Sequence, residues 1–416
     1  MKKEREEGML SPYRILDLTD EKGLMCGKVM GDLGADVIKI ERPGGDFARN
    51  IGPFYHDEPD PEKSLFWFSF NANKRGITLD IETADGQEIF KKLVTSADII
   101  VESFPPGYMD KIGLGYSVLE KVNPGLSLIS ITPFGQTGPY RDYKISDVVA
   151  WALGGYMYSV GDDDRAPVRI GLYCQSYLHA GGQAAQAAMM ALYYREMTGE
   201  GQFVDVSIRD SITRCTPERI TMYWDFNKRV ARRGGGGRML SIRRIWPCKD
   251  GYVYAIYWGG QFASRWNSPL VRWIESEGLA TDFIKNLDWD SFNMMDITQE
   301  VKNNIEEPTL KLFRKFTMAE ILEGALKHNA QVYPFATTAD IANNPQLATR
   351  DFWVEVDHPE LGTSITYPGP FAQNTELPPR IFRRAPLIGE HNEEIYGKEL
   401  GISKEKILIL KQAKVI

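Results

Sequence analysis

Apolar and polar positions in the first third of the chain alternate between two periods. YRILDL at 13–18 reads as a strand, KGLMCGKVMGDLG at 22–34 has the three-to-four spacing of a helix, and ADVIKIE at 35–41 returns to a strand. The unit recurs in TADGQEIFKKLVTSADIIVESF, where Thr83 and Asp85 suit a helix start and IIVES the following strand, and again in SVLEKVNPGLSLISITPFG. Successive units of this kind predict an α/β fold with a parallel sheet covered by helices. Between 180 and 197, GGQAAQAAMMALYYREM predicts a helix whose small residues let another backbone come close. FVDVSIRD then reads as a strand leading into a helix.

Regularity breaks at RRGGGGRML, 232–240, and a segment with its own strand, GYVYAIYW, and helical stretches EPTLKLFRKF and MAEILEGALK follows. This predicts a smaller α+β domain over 216–334, inserted into a large domain made of 1–215 and 335–416. SKEKILILKQ near the end reads as a helix.

The first strand is not followed by G-x-G-x-x-G. Gly31 and Gly34 lie at the far end of the helix, where Gly34 suits a C-terminal cap, so a dinucleotide site is not expected. A chain of 416 residues with 43% hydrophobic and 25% charged residues has an ordinary globular composition, and its net charge of −7 argues against a general nucleic-acid binder. MKKEREEGM precedes no apolar h-region and no window is apolar enough for a membrane span, so the expectation is a cytoplasmic protein. Cys26, Cys174, Cys215 and Cys248 are far apart, as are His56, His179, His328, His358 and His391, so neither a disulfide framework nor a metal site is expected. His179 is read as structural, near the start of the alanine-rich helix.

Six blocks in order, LGADVIKIERPGGD at 33–46, NANKRGITLD at 71–80, ADIIVESFPPGYMDKIGLGY at 97–116, ITPFGQTGPY at 131–140, REMTGEGQFVDVS at 195–207 and RAPLIGEHNEEI at 384–395, make the chain resemble the class III CoA-transferases. The resemblance implies a Rossmann-like large domain with a small inserted domain, and two subunits threaded through one another as interlocked rings. It implies no permanently bound cofactor, with a coenzyme A thioester as substrate. Arg42, Asn73, Lys74, Arg75, Lys111 and Lys144 fall at or beside the family's CoA-contacting positions. Phosphates need such cations, although a lone Lys or Arg is more often a solvated surface charge. Gly234, Gly235, Gly236 and Gly237 coincide with the family's glycine loop, which closes over the site.

Family transferases carry CoA on an enzyme aspartate, first as a mixed anhydride and then as an aspartyl-CoA thioester. That aspartate lies five residues beyond a glycine matching Gly171, which places Ser176 there; counting back from REMTGEGQ places Tyr177. Neither is an acid. A serine offers no acyl carbon on which CoA can ride, and Cys174 could carry an acyl group but not CoA. The related racemases use a histidine and an acid, and their histidine would fall near Ser146, so that chemistry is not expected either. Asp147, Asp162, Asp163 and Asp164 lie outside the required position, the last three in what reads as a solvated turn.

The resemblance therefore implies a subunit inactive alone and paired with an aspartate-bearing paralogue. Two-subunit family members that use succinyl-CoA and benzylsuccinate, in anaerobic aromatic degradation, have that organisation. Trp151, Tyr156, Tyr158, Trp224, Trp246 and Trp258 fit either an aromatic pocket or core packing. The rival readings are a homodimeric acyl-CoA isomerase or lyase using another base, and a non-catalytic acyl-CoA-binding subunit.

Overall fold

A computed structural model describes residues 8–160, 166–169, 171, 174–215, 242–294 and 297–416. The chain divides into two compact units, Met1–Arg233 with Thr349–Ile416, and Gly234–Ala348.

The first unit is built on strands β1 (Arg14–Leu18), β2 (Asp36–Glu41), β3 (Lys74–Thr78), β4 (Ile99–Glu102), β5 (Ser127–Thr132) and β6 (Phe203–Ser207). They form one parallel sheet in the order β3-β2-β1-β4-β5-β6, with Leu16 opposite both Ile38 and Ile100. Helices α1 (Leu24–Asp32), α2 (Leu65–Asn71), α3 (Ala84–Val94), α4 (Tyr108–Lys111), α5 (Tyr116–Val122), α6 (Asp147–Leu153), α7 (Gln175–Thr198) and α8 (Ile208–Thr213) belong to the same unit. Alternate strand residues feed two cores. Leu16, Ile38, Ile77, Ile100 and Leu128 pack with Phe90 and Leu93 of α3, while Ile15, Val37, Ile99 and Ile129 pack with Met30 of α1 and Ala184 of α7. With both faces covered, the strands read as nearly continuous apolar runs. The C-terminal segment completes the first core through Ile395, Tyr396, Ile407 and Leu410.

Helix α1 stops at Gly34, which takes φ +95°, a conformation that favours glycine. Helices α1 and α7 come close at Gly181, where a Cβ would stand 2.8 Å from Met25 Cβ and 3.2 Å from the Cys26 nitrogen. The small residues of the alanine-rich stretch therefore serve helix packing.

Beneath α1 lies a buried charge network. Asp17 of β1 accepts from Lys74 of β3 at 2.7 Å, and Lys74 Nζ also donates to Leu24 O at 3.1 Å and Asn71 Oδ1 at 3.0 Å. Lys39 of β2 stands 3.9 Å from Asp17 and 3.4 Å from Asp46, and donates to Thr19 O. Burial pushes the Asp17 carboxyl up, but Lys74 and Lys39 outweigh it and hold the group below the usual range. A Cβ on Gly27 would sit 2.3 Å from Asp17 Oδ2, so only glycine lets α1 rest on this network.

The second unit carries an antiparallel sheet of β7 (Ile245–Pro247), β8 (Tyr252–Ala255) and β9 (Val332–Pro334), with helices α9 (Ala263–Ser276), α10 (Gln299–Lys315) and α11 (Met318–His328). Its core gathers Trp246, Val253, Trp273 and Phe313. The Trp246 indole donates to Ala255 O at 3.0 Å, so this tryptophan is a core residue. A two-stranded antiparallel ribbon, β10 (Trp353–His358) and β11 (Thr363–Pro368), and a last helix, α12 (Lys404–Gln412), follow in the first unit.

Removing one partner of a buried ion pair leaves the other charge stranded. Lys74→Met is expected to cost about 3 kcal/mol or more, and the Asp17→Asn/Lys74→Met pair to recover part of that loss. The midpoint of urea unfolding checks both; a Lys74→Met midpoint equal to wild type would remove the network from the stability of the fold.

Candidate active site

In a doubly wound sheet, ligands gather at the carboxyl ends of the strands where the order reverses, here between β1 and β4. The β1–α1 loop and the end of β4 meet there. Asp20 N donates to Ser103 Oγ at 2.8 Å, and Ser103 Oγ donates to Asp20 Oδ1 at 2.7 Å. Beside them opens a cavity of about 190 Å³ walled by Leu18, Ile40, Leu79, Ile81 and Phe104, with Arg42 and Tyr108 on its rim. Arg42 is largely exposed and pairs with Glu82 at 2.6 Å. Lys111 acts on the same Glu82 through its charge, and Lys144 is exposed.

Asn73, Lys74 and Arg75 are placed otherwise. Asn73 takes φ +68° and is buried; its amide donates to Asp32 and to Arg380 O, and its carbonyl accepts from the Phe382 and Arg383 nitrogens. The three N–H donors of Lys74 are matched by the three acceptors of the buried network. Arg75 pairs with Asp36, Glu394 and Glu399, tying β3 to β2 and to the C-terminal segment. The expected trio of coenzyme-contacting residues thus scaffolds the sheet here, and the cations that reach solvent are Arg42, Lys111 and Lys144. Gly234 to Gly237, Asp162 to Asp164 and Trp224 lie outside the described residues.

The second part of the site is the start of α7. The alanine pattern places that start at Ala180, but the helix begins at Gln175, with Cys174 before it in the left-handed region at φ 47°. It has no side-chain cap of its own. Instead Asp147, the first residue of α6, supplies one: Ser176 N and Ser176 Oγ each donate to Asp147 Oδ1 at 2.8 Å. Asp147 Oδ2 is 3.3 Å from Arg169 Nη2. A carboxylate among the orphan N–H groups of a helix N-terminus is favoured by both hydrogen bonding and the helix dipole. The position at which the family resemblance leads one to expect an acid is therefore in contact with one, contributed from 29 residues earlier. No local pattern in the sequence announces this. Ser176 is fully buried.

The surroundings are negative. Burial and then Glu21 and Asp147 raise Tyr177, burial followed by Asp147 pushes the Cys174 thiol up to about 11, and burial and Asp20 raise Glu21. Asp20, Glu21 and Asp147 thus act on the same short stretch of α7. Beside the reversal point, Glu102 at the end of β4 is buried, accepts from Phe104 N at 2.6 Å, and is pushed up to about 7 by that burial. Sequence reasoning did not single it out; a lone Glu closing a strand carries no signal of its depth. Among the described residues, no group of three or more His, Cys, Asp or Glu is arranged to hold a metal.

A parallel sheet in the order 3-2-1-4-5-6, with a cavity and a helix N-terminus near its reversal point, defines a doubly wound α/β protein of Rossmann type. The chain belongs to CoA-transferase family III, whose family profile matches residues 10–392. It is 36% identical, over 92% of its length and 93% of the relative's, to the succinyl-CoA:(R)-benzylsuccinate CoA-transferase subunit BbsE of Thauera aromatica. It is 30% identical, over 98% of each chain, to the succinyl-CoA–L-malate CoA-transferase beta subunit of Chloroflexus aurantiacus. Among solved structures it resembles a CAIB/BAIF family protein from Brucella suis, with a TM-score of 0.80 and 26% identity over 94% of this chain and all of that one.

The Asp147–Ser176 contact is testable as a pair. Asp147→Ala is expected to cost about 2 kcal/mol, by leaving two buried donors unmatched, and Ser176→Ala about 1 kcal/mol. A double-mutant cycle on thermal unfolding should show coupling of at least about 0.5 kcal/mol, and strict additivity would show that the contact carries no energy. Glu102 has a pH signature. Because its folded value lies above the ordinary 4.5, its contribution is full below about 4.5 and is lost as pH rises through about 7. Glu102→Gln should therefore match wild type near pH 4 and exceed it near pH 8 by about 3 kcal/mol; parallel stability curves would refute the assignment.

Proposed function

We propose that this chain is a subunit of a CoA-transferase that moves CoA from an acyl-CoA donor, succinyl-CoA foremost, to a dicarboxylic acid of the benzylsuccinate kind, beside a paralogue that brings the carboxylate. The observation that carries this reading is the start of α7. Ser176 stands at the matched position, and among the described residues the acid touching it, Asp147, has Oδ1 on two hydrogen bonds and Oδ2 facing Arg169. Carrying CoA takes an acyl carbon with an oxygen open to attack, and a carboxylate serving as a helix cap is a poor candidate. The paralogue's aspartate fills that role in an interlocked pair.

The relatives support the pairing and the substrates. Two of them are named as subunits, and both act with succinyl-CoA on acids that carry two carboxylates. For the coenzyme, the reading assigns the phosphates to the exposed cations Arg42, Lys111 and Lys144 and the adenine end to the cavity that Arg42 lines with Leu18, Ile40, Leu79 and Ile81, with Asn73, Lys74 and Arg75 holding the strand beneath. CoA enters and leaves as substrate, and no resident cofactor is required.

The test is to purify the chain alone and together with a family paralogue from the same genome, and to follow CoA transfer from succinyl-CoA to benzylsuccinate. Activity is expected only in the complex, and an Asp→Asn change at the paralogue's matched position should abolish it. Transfer by the lone chain, or a paralogue that has no aspartate there, would overturn the pairing.

A further inference from the structure

Helix α7 carries a histidine on its outer side. His179, one turn beyond Ser176, is exposed, and its Nδ1 lies 3.7 Å from the Cys215 thiol just past α8. The imidazole is met edge-on by Trp151, with ring centroids 5.7 Å apart at 88°. Trp151 is itself buried, and its indole N–H has no partner among the described residues. His179 and Cys215 line a cavity of about 360 Å³ together with Gly182, Gln183, Gln186 and Arg214. A Cβ added at Gly182 would meet nothing within 4 Å, so the space is open at that wall. Gln183, Gln186 and Arg214 also border a neighbouring cavity of about 490 Å³, which extends the recess toward Arg209.

A thiol beside an imidazole is the arrangement of a base-activated nucleophile. Burial raises the Cys215 thiol above its ordinary value, so the base has to take the proton. The other cysteines lack this setting. Cys26 is fully buried, and Cys248 faces the Asp250 carboxylate at 3.5 Å. Cys215 Sγ can also donate to Ser211 O at 3.5 Å, so the carbonyl and His179 Nδ1 at 3.7 Å share one thiol proton, and the dyad forms when the S–H turns to the ring.

We propose that Cys215 and His179 form a thiol–imidazole dyad that accepts an acyl group from an acyl-CoA, at a site separate from Ser176. The thiol proton passes to His179 Nδ1 and the sulfur attacks the thioester carbonyl. The new C–S bond forms as the bond to CoA breaks, and the proton held on His179 goes to the departing CoA sulfur. One thioester replaces another, so the step is reversible and needs no further reactant. The arginine at the recess, Arg214, suits acyl groups that end in a carboxylate.

The test treats the full chain with limiting iodoacetamide near neutral pH and follows each cysteine-containing peptide by mass spectrometry. Cys215 is expected to label about tenfold faster than Cys174 or Cys248, and His179→Gln to remove that advantage. Equal Cys215 rates in wild type and His179→Gln overturn the dyad. Incubation with succinyl-CoA and no acceptor acid is then expected to release one CoA thiol per chain and to leave a hydroxylamine-labile succinyl mass on the Cys215 peptide, absent in Cys215→Ser. Labelling without that mass overturns the acyl assignment. Acetyl-CoA should load more slowly than succinyl-CoA, and equal loading removes the role given to Arg214. Because the step needs no acceptor, its failure leaves the CoA-transfer reading standing, and failure of CoA transfer leaves this result unaffected.

Discussion

The first unit depends on a charge network buried where charges are costly. Asp17, Lys39 and Lys74 belong to three adjacent strands and share the face covered by α1, with Asn71, Thr19 and the Leu24 carbonyl completing their hydrogen bonds. Each ion alone would carry a desolvation penalty of several kcal/mol, so the three are tolerated only together and only in register. That requirement ties β1, β2 and β3 to one another. It also excludes any side chain larger than glycine at position 27 and sets α1 down where α7 can pack against it at Gly181. The helix that presents Ser176 is therefore positioned by an ion pair at the other end of a chain of contacts.

The start of α7 shows the same economy of electrostatics. A helix whose first turn is buried needs acceptors for its free N–H groups, and α7 has no capping side chain of its own. Asp147 meets that need from α6, placing a carboxylate against Ser176 with both of its oxygens engaged. The family is established by the match over residues 10–392.

Much of the architecture was legible in the chain. The alternation of YRILDL, the α1 segment and ADVIKIE appears as β1, α1 and β2, and IIVES and LSLISIT as β4 and β5, because strands covered on both faces must be nearly continuously apolar. The start of α7 was read five residues late, because the alanine pattern marks packing and the first turn is held by a distant carboxylate. NANKRGITLD offered three polar side chains as coenzyme contacts, and only the fold shows that Asn73, Lys74 and Arg75 face partners on β1, β2 and the C-terminal segment. Arg42, a cation in the same kind of context, remains on the surface.

The sequence by itself determined the succession of strands and helices, the family, and the identity of residue 176, since whether a side chain has an acyl carbon is a matter of covalent structure. Tertiary structure alone decided which charges are buried in ion pairs and which reach the surface, that Asp147 caps α7, and that Cys215 lies against His179. Those outcomes depend on side chains tens of residues apart meeting within hydrogen-bonding distance. In a folded interior the strength of such contacts depends on distance and burial, and neither can be read from spacing along the chain.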